Sequence, residues 1–571
     1  MSRMTSEVRE MRRVEKTKAV TNFMGGISYE INPLDTLKMV SASSIFGEPQ
    51  YYRDGEFTEK TLVKDGEITK KTLVKDGEFT IHKLFADYSI SALDKYKGMK
   101  TSDLMEKVID EALMYDFKAT LEWAKSLRND FLMRLNPQII MVRAAMLTEA
   151  RIAFTNENPG AFSTINMEVM KRADDVLSQI TYYIFKTKDK KGVPGILKNS
   201  WAKKISSLSA YEVYKYRNHS IGIINAVRIC HAHSKNIDEL MKTGTIAVDT
   251  QDKTWETLRA SGMSWDEIMS TIKMNHMALL RNLRGIFSEI EDLSKCEKIL
   301  EDLKGGVEKG KQFPYRYMSA QKAVEGAKED LHGNSTLICD ALEDCMDIAC
   351  NNLPKLKGNN AFLSDNSGSA WGAITTTYGT TTVAEIDNLS AVIGAVNSEK
   401  GTVYKFGDDL VPYEISKRKG ILAQAKEISK DRGDEVGTST KNGIWIFFRD
   451  AIDKKIHYDN IFIYSDMQAG HGGLYGTDES EKEYRSRGFA AYGRYVDVAK
   501  LIDVYRQKVN PKVNVFCVQT AGYTNVLVPE YGYRTNILYG WTGKELLFAD
   551  AMNKFWDEKD RVKELKKQGQ E

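Results

Sequence analysis

Between Ser102 and about Leu353 the apolar residues recur at helical spacing. Leu104, Val108, Ile109, Ala112 and Leu113 fall on one face, and comparable stripes run through residues 139–153, 167–184, 221–230 and 277–286. Strand signals are nearly absent there. Many short helices broken by Gly, Pro, Asn or Ser predict an all-α layer of repeat character, a solenoid of helix pairs. After about Gly358 the pattern changes to alternating strands and helices: strands at 361–363, 402–406, 461–464 and 513–518, helices at 383–396, 421–428, 443–451 and 495–505. That alternation predicts a doubly wound α/β domain, whose ligands sit at the carboxyl ends of its strands.

Ahead of the helical region the chain is punctuated by Gly and Pro, with short extended pieces at 27–29, 39–40 and 50–52. From Arg53 it repeats with an eleven-residue period: RDGEFTEKTLV, KDGEITKKTLV, then KDGEFT. Each unit couples an Asp-Gly turn to a β-prone stretch, which predicts a small meander or a long hairpin, a local duplication with no chemistry of its own. Residues 1–24 are polar and charged, and are expected to form a poorly ordered arm.

Composition narrows the function classes. At 571 residues the chain has room for several domains, and 81 Lys+Arg against 79 Asp+Glu leave a net charge of +2. No global field draws nucleic acid or an anionic membrane, so any basic surface must be local. The six cysteines include no CxxC pair and the eight histidines are scattered, which argues against a zinc knuckle or a disulfide framework. No h-region and no membrane-length apolar run stand out, so a cytoplasmic location is expected.

Two stretches carry candidate chemistry. The first is AFLSDNSGSAWG at 361–372, where an apolar run ends in Asp365, Ser367 and Ser369. One carboxylate and two hydroxyls at a strand end suit a hard cation such as Mg²⁺, which takes oxygen ligands and keeps several waters. The alternative is a Ser/Gly-rich turn with Asp365 capping the next helix. The second stretch is 186–217, nine cations against Asp189 and Glu212, a net +7 interleaved with Tyr182, Tyr183, Trp201, Tyr211, Tyr214 and Tyr216. Cations for phosphates and aromatic faces for unpaired bases are what an RNA site needs. A solvated helix face with tyrosines half in the core is the competing reading, and on this stretch alone the stronger one.

Two further positions extend the first stretch. Thr438 follows a Val-Gly turn, and Asp466 ends the apolar run IFIYSD. Asp-x-Ser-x-Ser, then Thr, then Asp after a strand resembles the metal-ion-dependent adhesion site of von Willebrand factor A domains. YKYRNHSIGIINAVRICHAH at 214–233, MALLRNLRGI at 277–286, the FPYRYMSA run from 313 and the opening MGGISYEI and FGEPQYYRDG are similar to the TROVE module of the Ro autoantigen ribonucleoproteins. The resemblance covers about residues 24–550 apart from 53–80.

That resemblance implies a multidomain fold: an all-α ring of HEAT-like repeats (TROVE) over 25–357, carrying the insertion at 53–80, then a doubly wound α/β von Willebrand factor A-like domain over 358–555 and a charged tail over 556–571. It implies a non-enzymatic RNA-binding protein, with Y-like small structured RNA on the outer face and single-stranded ends of misfolded RNA in a central hole, acting in RNA quality control or as a scaffold. It also implies a divalent cation, Mg²⁺ first, on Asp365, Ser367, Ser369, Thr438 and Asp466, and a protein partner such as an exoribonuclease at the A domain. Lys215, Tyr216, Arg217, Arg228 and His231 match the family's RNA motif, and Lys203 and Lys204 join them on charge. Arg228 and His231 are i, i+3 neighbours on one helix face, where a guanidinium and an imidazole would grip adjacent phosphates or a base edge. Asn225 replaces a usual Asp and Val436 a usual Gly. A different class is a metal-dependent interaction module in which the A domain captures an acidic partner residue. A hydrolase, with His471 as base beside the cation, is the weakest alternative.

Overall fold

A computed structural model describes residues 101–130, 133–188, 192–218, 221–249, 253–310, 314–351, 353–372, 381–437, 441–467, 498–520, 534–539 and 545–567, with short pieces at 19–21, 27–30, 32–34, 37, 41, 59–64, 67–72, 486 and 525–528. Every regular element described between Thr101 and Asn351 is helical. The helices are short because capping signals recur. Ser209 and Ser264 each open a capping box with the Glu three residues on, Asp116 accepts from the Ala119 amide at 2.9 Å, and left-handed Gly244 ends the Lys235–Thr243 helix.

The apolar stripes pack helix on helix. Asn136–Met146 lies against Phe117–Asn129 and Ala173–Thr187, and further along Pro314–Glu325 lies against His276–Phe287 and Ser335–Asn351. Polar groups inside the layer are paired. Gln179 donates to Gln138 and Asn166 at 2.8 Å each and accepts from the Trp201 indole at 2.8 Å, while Arg128 and Asp175 form a buried ion pair at 2.8 Å.

The strands are β1 (Ala19–Thr21), β2 (Ile27–Glu30), β3 (Glu59–Lys64), β4 (Glu67–Thr72), β5 (Leu356–Asp365), β6 (Ser398–Phe406), β7 (Leu410–Tyr413), β8 (Asn460–Ser465), β9 (Asn514–Gln519), β10 (Asn525–Val526) and β11 (Thr535–Tyr539). Six form one sheet in the order β11-β9-β8-β5-β6-β7, parallel except for β7, which runs antiparallel along β6. β8, β9 and the Ala361–Leu363 part of β5 read as apolar runs because both faces are covered there. Phe362, Phe462 and Phe516 face the Val383–Val396 helix. Ala361, Leu363, Ile461 and Ile463 face the Lys441–Asp453 and Val498–Lys508 helices.

The α/β domain holds both ends of the helical layer. At the far end, Glu343 accepts from the Leu422 and Ala423 amides at 2.7 and 3.1 Å, Lys322 pairs with Glu385 at 2.5 Å, and Lys426 pairs with Glu325 at 2.7 Å. At the near end, β2 pairs with β1 on one side and with β10 of the α/β domain on the other. A few residues later Leu37 enters the helical core, and Ser41 accepts from the Trp123 indole at 2.9 Å.

Helical layer and α/β sheet are as the periodicity predicts, with differences at the margins. β1 lies inside the arm expected to be poorly ordered. The repeat forms a hairpin in which Glu59–Lys64 pairs antiparallel with Glu67–Thr72. The expected charged tail continues the helix Glu545–Lys567, held by buried Arg534, which reaches Asp557 at 2.6 Å and Asp560 at 2.7 Å. β7 and β11 had no strand prediction. Among the described residues no helix is long and apolar enough to cross a membrane.

Candidate functional site

The helical layer holds a cavity of about 1090 Å³. Its walls come from helices far apart in sequence. Arg134, Arg172, Lys215, Lys253, Lys273, Arg281 and Lys309 line it, against Asp174, Glu256, Glu301 and Asp302, with Tyr211, Tyr216 and Trp255 among them. Arg172 is held by Asp174 at 2.9 Å and donates to the Tyr216 hydroxyl at 2.5 Å, and Arg134 faces Asp174 at 3.9 Å. Lys215, Lys253, Lys273, Arg281 and Lys309 form no ion pair among the described residues, so their charge is available to an anion in the cavity. His276 forms part of the wall from inside. Its ring nitrogens lie 2.8 Å from the Leu303 carbonyl and 3.0 Å from the Tyr317 hydroxyl, and burial pushes its pKa down, so it enters the wall neutral. Gly310 and Gly306 close over the ring: a Cβ on Gly310 would stand 2.5 Å from the His276 Cδ2.

The sequence-derived RNA residues divide between cavity and outside. Lys215 and Tyr216 line the cavity, though the Tyr216 ring is buried and offers no open face. Arg217 folds back on its own helix, its guanidinium 4.2 Å from the Tyr214 ring centroid and bonded to the Tyr214 carbonyl. Lys203 is exposed, and the Lys204 ammonium donates to the Lys171 carbonyl at 2.8 Å. Arg228 is exposed, but its helix ends at Cys230 and His231 caps it in the left-handed conformation at φ 57°, so the two do not share a helical face. Of the interleaved aromatics, Tyr182, Tyr183, Trp201, Tyr214 and Tyr216 are buried; Tyr211 is exposed. The core reading of that stretch therefore holds for most of its rings. Lys253, Trp255, Lys273, Arg281 and Lys309 are cavity residues that sequence reasoning missed. They come from three separate stretches, 253–255, 273–281 and 309, and no local motif joins them.

The second site lies at the carboxyl edge of the sheet. β5 ends at Asp365 beside β8, which ends at Ser465 just before Asp466; both carboxyl residues are buried. One Asp365 oxygen accepts from the Ser367 amide at 2.9 Å and the other from the Ser465 hydroxyl at 2.6 Å, while the Ser367 and Ser369 hydroxyls meet at 3.1 Å. Asn388 clamps the turn, accepting from Ser364 at 2.6 Å and from the Asn366 amide at 2.9 Å. Burial and the neighbouring Asp466 charge push the Asp365 pKa up to about 7. Residues 431–437 pack across this turn. Gly433 at φ 88° has room for no Cβ, which would lie 2.3 Å from the Asn366 carbonyl, and buried Lys405 holds Asp431 at 2.5 Å. Val436 is buried and its carbonyl accepts from the Asp409 amide at 2.9 Å, so the departure from Gly is absorbed by packing. Thr438 and His471 lie outside the described residues.

These donors fit a hard divalent cation: two carboxylates and two hydroxyls, all oxygen, gathered where two negative charges are withdrawn from water. Among the described residues no three His, Cys, Asp or Glu stand close enough together to hold one metal, so an ion here would keep water among its ligands.

A layer of packed helices joined at both ends to a mixed-sheet α/β domain defines a helical protein with an attached doubly wound domain. Residues 242–357 match the TROVE domain family. The crystal structure of the Deinococcus radiodurans RO (RSR) protein is similar to the chain at 13% identity and a TM-score of 0.50, over 77% of this chain and 91% of that one. The family match over 242–357 and the likeness of fold to a Ro protein are both in line with the resemblance that the chain's motifs carry. No curated protein matches it by sequence.

Proposed function

We propose that the chain is a Ro-type RNA-binding protein. Single-stranded RNA, including the free ends of misfolded RNAs, enters the cavity, and small structured RNA of the Y type docks on the outer basic helices that bear Lys203, Lys204 and Arg228. It works in RNA quality control or as a ribonucleoprotein scaffold and does not turn its RNA over. The observation that carries this reading is the cavity, where five cations without ion-pair partners among the described residues stand around Tyr211 and Trp255. Phosphates would meet the cations and bases would stack on the rings, a combination that binds single strands with little sequence preference. Labelled hairpin RNA with a single-stranded tail, titrated with the protein, tests it. Lys273→Ala with Arg281→Ala should weaken tail-dependent binding, and unchanged binding would refute the cavity assignment.

The carboxylate site supports a second role for the α/β domain. A bound Mg²⁺ would supply positive charge to Asp365 and Asp466 and an open position for an oxygen of a protein partner, an exoribonuclease among the candidates. Asp365, Ser367, Ser369 and Asp466 would hold the ion, with Thr438 as the remaining hydroxyl. Addition of Mg²⁺ should raise the melting temperature of chelator-treated protein, and Asp365→Asn should abolish the rise.

A further inference from the structure

Behind the carboxylate site stands an acid that no motif marks. Asp387 lies on the Val383–Val396 helix, one residue before Asn388, which clamps the Ser364–Asn366 turn. Its side chain is fully buried, and among the described residues neither oxygen has a hydrogen-bond partner. The Thr520 hydroxyl, just past the end of β9, faces it from outside hydrogen-bond geometry and is likewise buried without a partner among the described residues. The Thr520 amide is anchored on the Ser465 carbonyl at 3.1 Å, so Thr520 belongs to the same sheet edge as Asp466. The charges of Asp365 and Asp466 both act on Asp387 and, with burial, push its pKa well above the ordinary carboxylate value. A buried carboxylate with no donor is costly, and three close together more so.

We propose that Asp387 is the outer carboxylate of the cation site: its oxygens accept hydrogen bonds from water molecules carried by the divalent ion that Asp365, Ser367, Ser369 and Asp466 hold. The absence of a three-carboxylate cluster tight enough to ligate one ion, among the described residues, fits contact through water, which Mg²⁺ retains. Asp387 thus acts as a positioning residue. Its charge makes the chain bind the ion alone, before any partner arrives: three carboxylates already exceed the charge of one divalent ion, and an acidic partner side chain would add a fourth.

This inference rests on the cation reading above, and the two can fail separately. Mn²⁺, whose free form is counted by electron paramagnetic resonance, is titrated into the full chain after chelation, as wild type, Asp387→Asn and Asp365→Asn. We expect one site in the wild type, affinity about ten- to a hundred-fold weaker in Asp387→Asn, as for lost outer-shell partners, and no binding in Asp365→Asn. Metal-free Asp387→Asn should melt no lower than the metal-free wild type, because no hydrogen bond among the described residues is lost with the carboxyl. Wild-type affinity in Asp387→Asn with binding lost in Asp365→Asn overturns the role of Asp387 alone. A wild type that binds no Mn²⁺ overturns the cation site with it. If Asp387→Asn does not fold, Asp387→Ser, which leaves room for water, gives the same readings.

Discussion

If the cavity is the single-strand site, its cations set how binding responds to salt. Each Lys or Arg that neutralises a phosphate releases counterions, and for single strands the logarithm of affinity falls with that of salt by about 0.7 per contact. Lys215, Lys253, Lys273, Arg281 and Lys309 are the cavity cations without an ion pair among the described residues. One phosphate each gives a slope of about −3.5, so raising salt from about 50 to about 200 mM should weaken binding about a hundred-fold. Removing two contacts in Lys273→Ala/Arg281→Ala should bring the slope to about −2.1 and the same salt step to about twenty-fold. Fluorescence anisotropy of a labelled, unstructured RNA oligonucleotide at several salt concentrations reads both slopes. Lys203→Ala/Lys204→Ala, outside the cavity, should leave the oligonucleotide slope where it was. A double variant with the wild-type slope, or a wild type with a slope shallower than about −1, would refute the reasoning.

Three further expectations concern the frame of the sites. His276 is kept neutral by burial, so the unfolded chain takes up a proton that the folded one refuses; stability should be full above the ordinary histidine value of about 6.5 and fall as the pH drops below it. Urea unfolding at pH 7.5 and pH 5.5 checks this, and His276→Asn should narrow the difference. Gly394 lies where the Val383–Val396 helix crosses β5, and a Cβ there would stand 2.3 Å from the Phe362 ring, so Gly394→Ala should cost about 1–3 kcal/mol in denaturant unfolding. Arg128→Ala strands the Asp175 carboxylate in the helical core and should cost about 3–5 kcal/mol, whereas replacing both partners by apolar residues of similar volume should cost much less.

Local chemistry was legible in the sequence and distant convergence was not. DNSGS declares itself because its donors lie within five residues at the end of an apolar strand, and IFIYSD is visible for the same reason. The proposed part of Asp387 comes from within a helix, where it is one of two acids, Glu385 and Asp387, with no motif to set it apart. The cavity is hidden more completely, since Lys215, Trp255, Arg281 and Lys309 come from helices whose juxtaposition only the packing of the layer decides. Basic-aromatic density at 186–217 points to the right neighbourhood for another reason than expected: most of its rings fill the core, Trp201 on Gln179 for example, and only Lys215, Tyr211 and Tyr216 reach the cavity. Edge strands were missed where they are short: Leu410–Tyr413 contains a proline, and Thr535–Tyr539 completes only five residues.

The junctions at both ends of the helical layer change how the chain comes apart. A stack of helix pairs with loose ends frays from its termini, and its stability grows repeat by repeat. Here the first helices are fastened through Ser41 and the β2–β10 pairing, and the last through Glu343 on the Ile421–Ile428 helix, all to one body. Neither end is left to peel, so melting of the helical layer must begin at a seam with the α/β domain or not at all. Proteolysis, hydrogen exchange and denaturant should then report one cooperative unit where an open stack would give a gradient, and a change at either seam should loosen helices at the opposite side of the cavity.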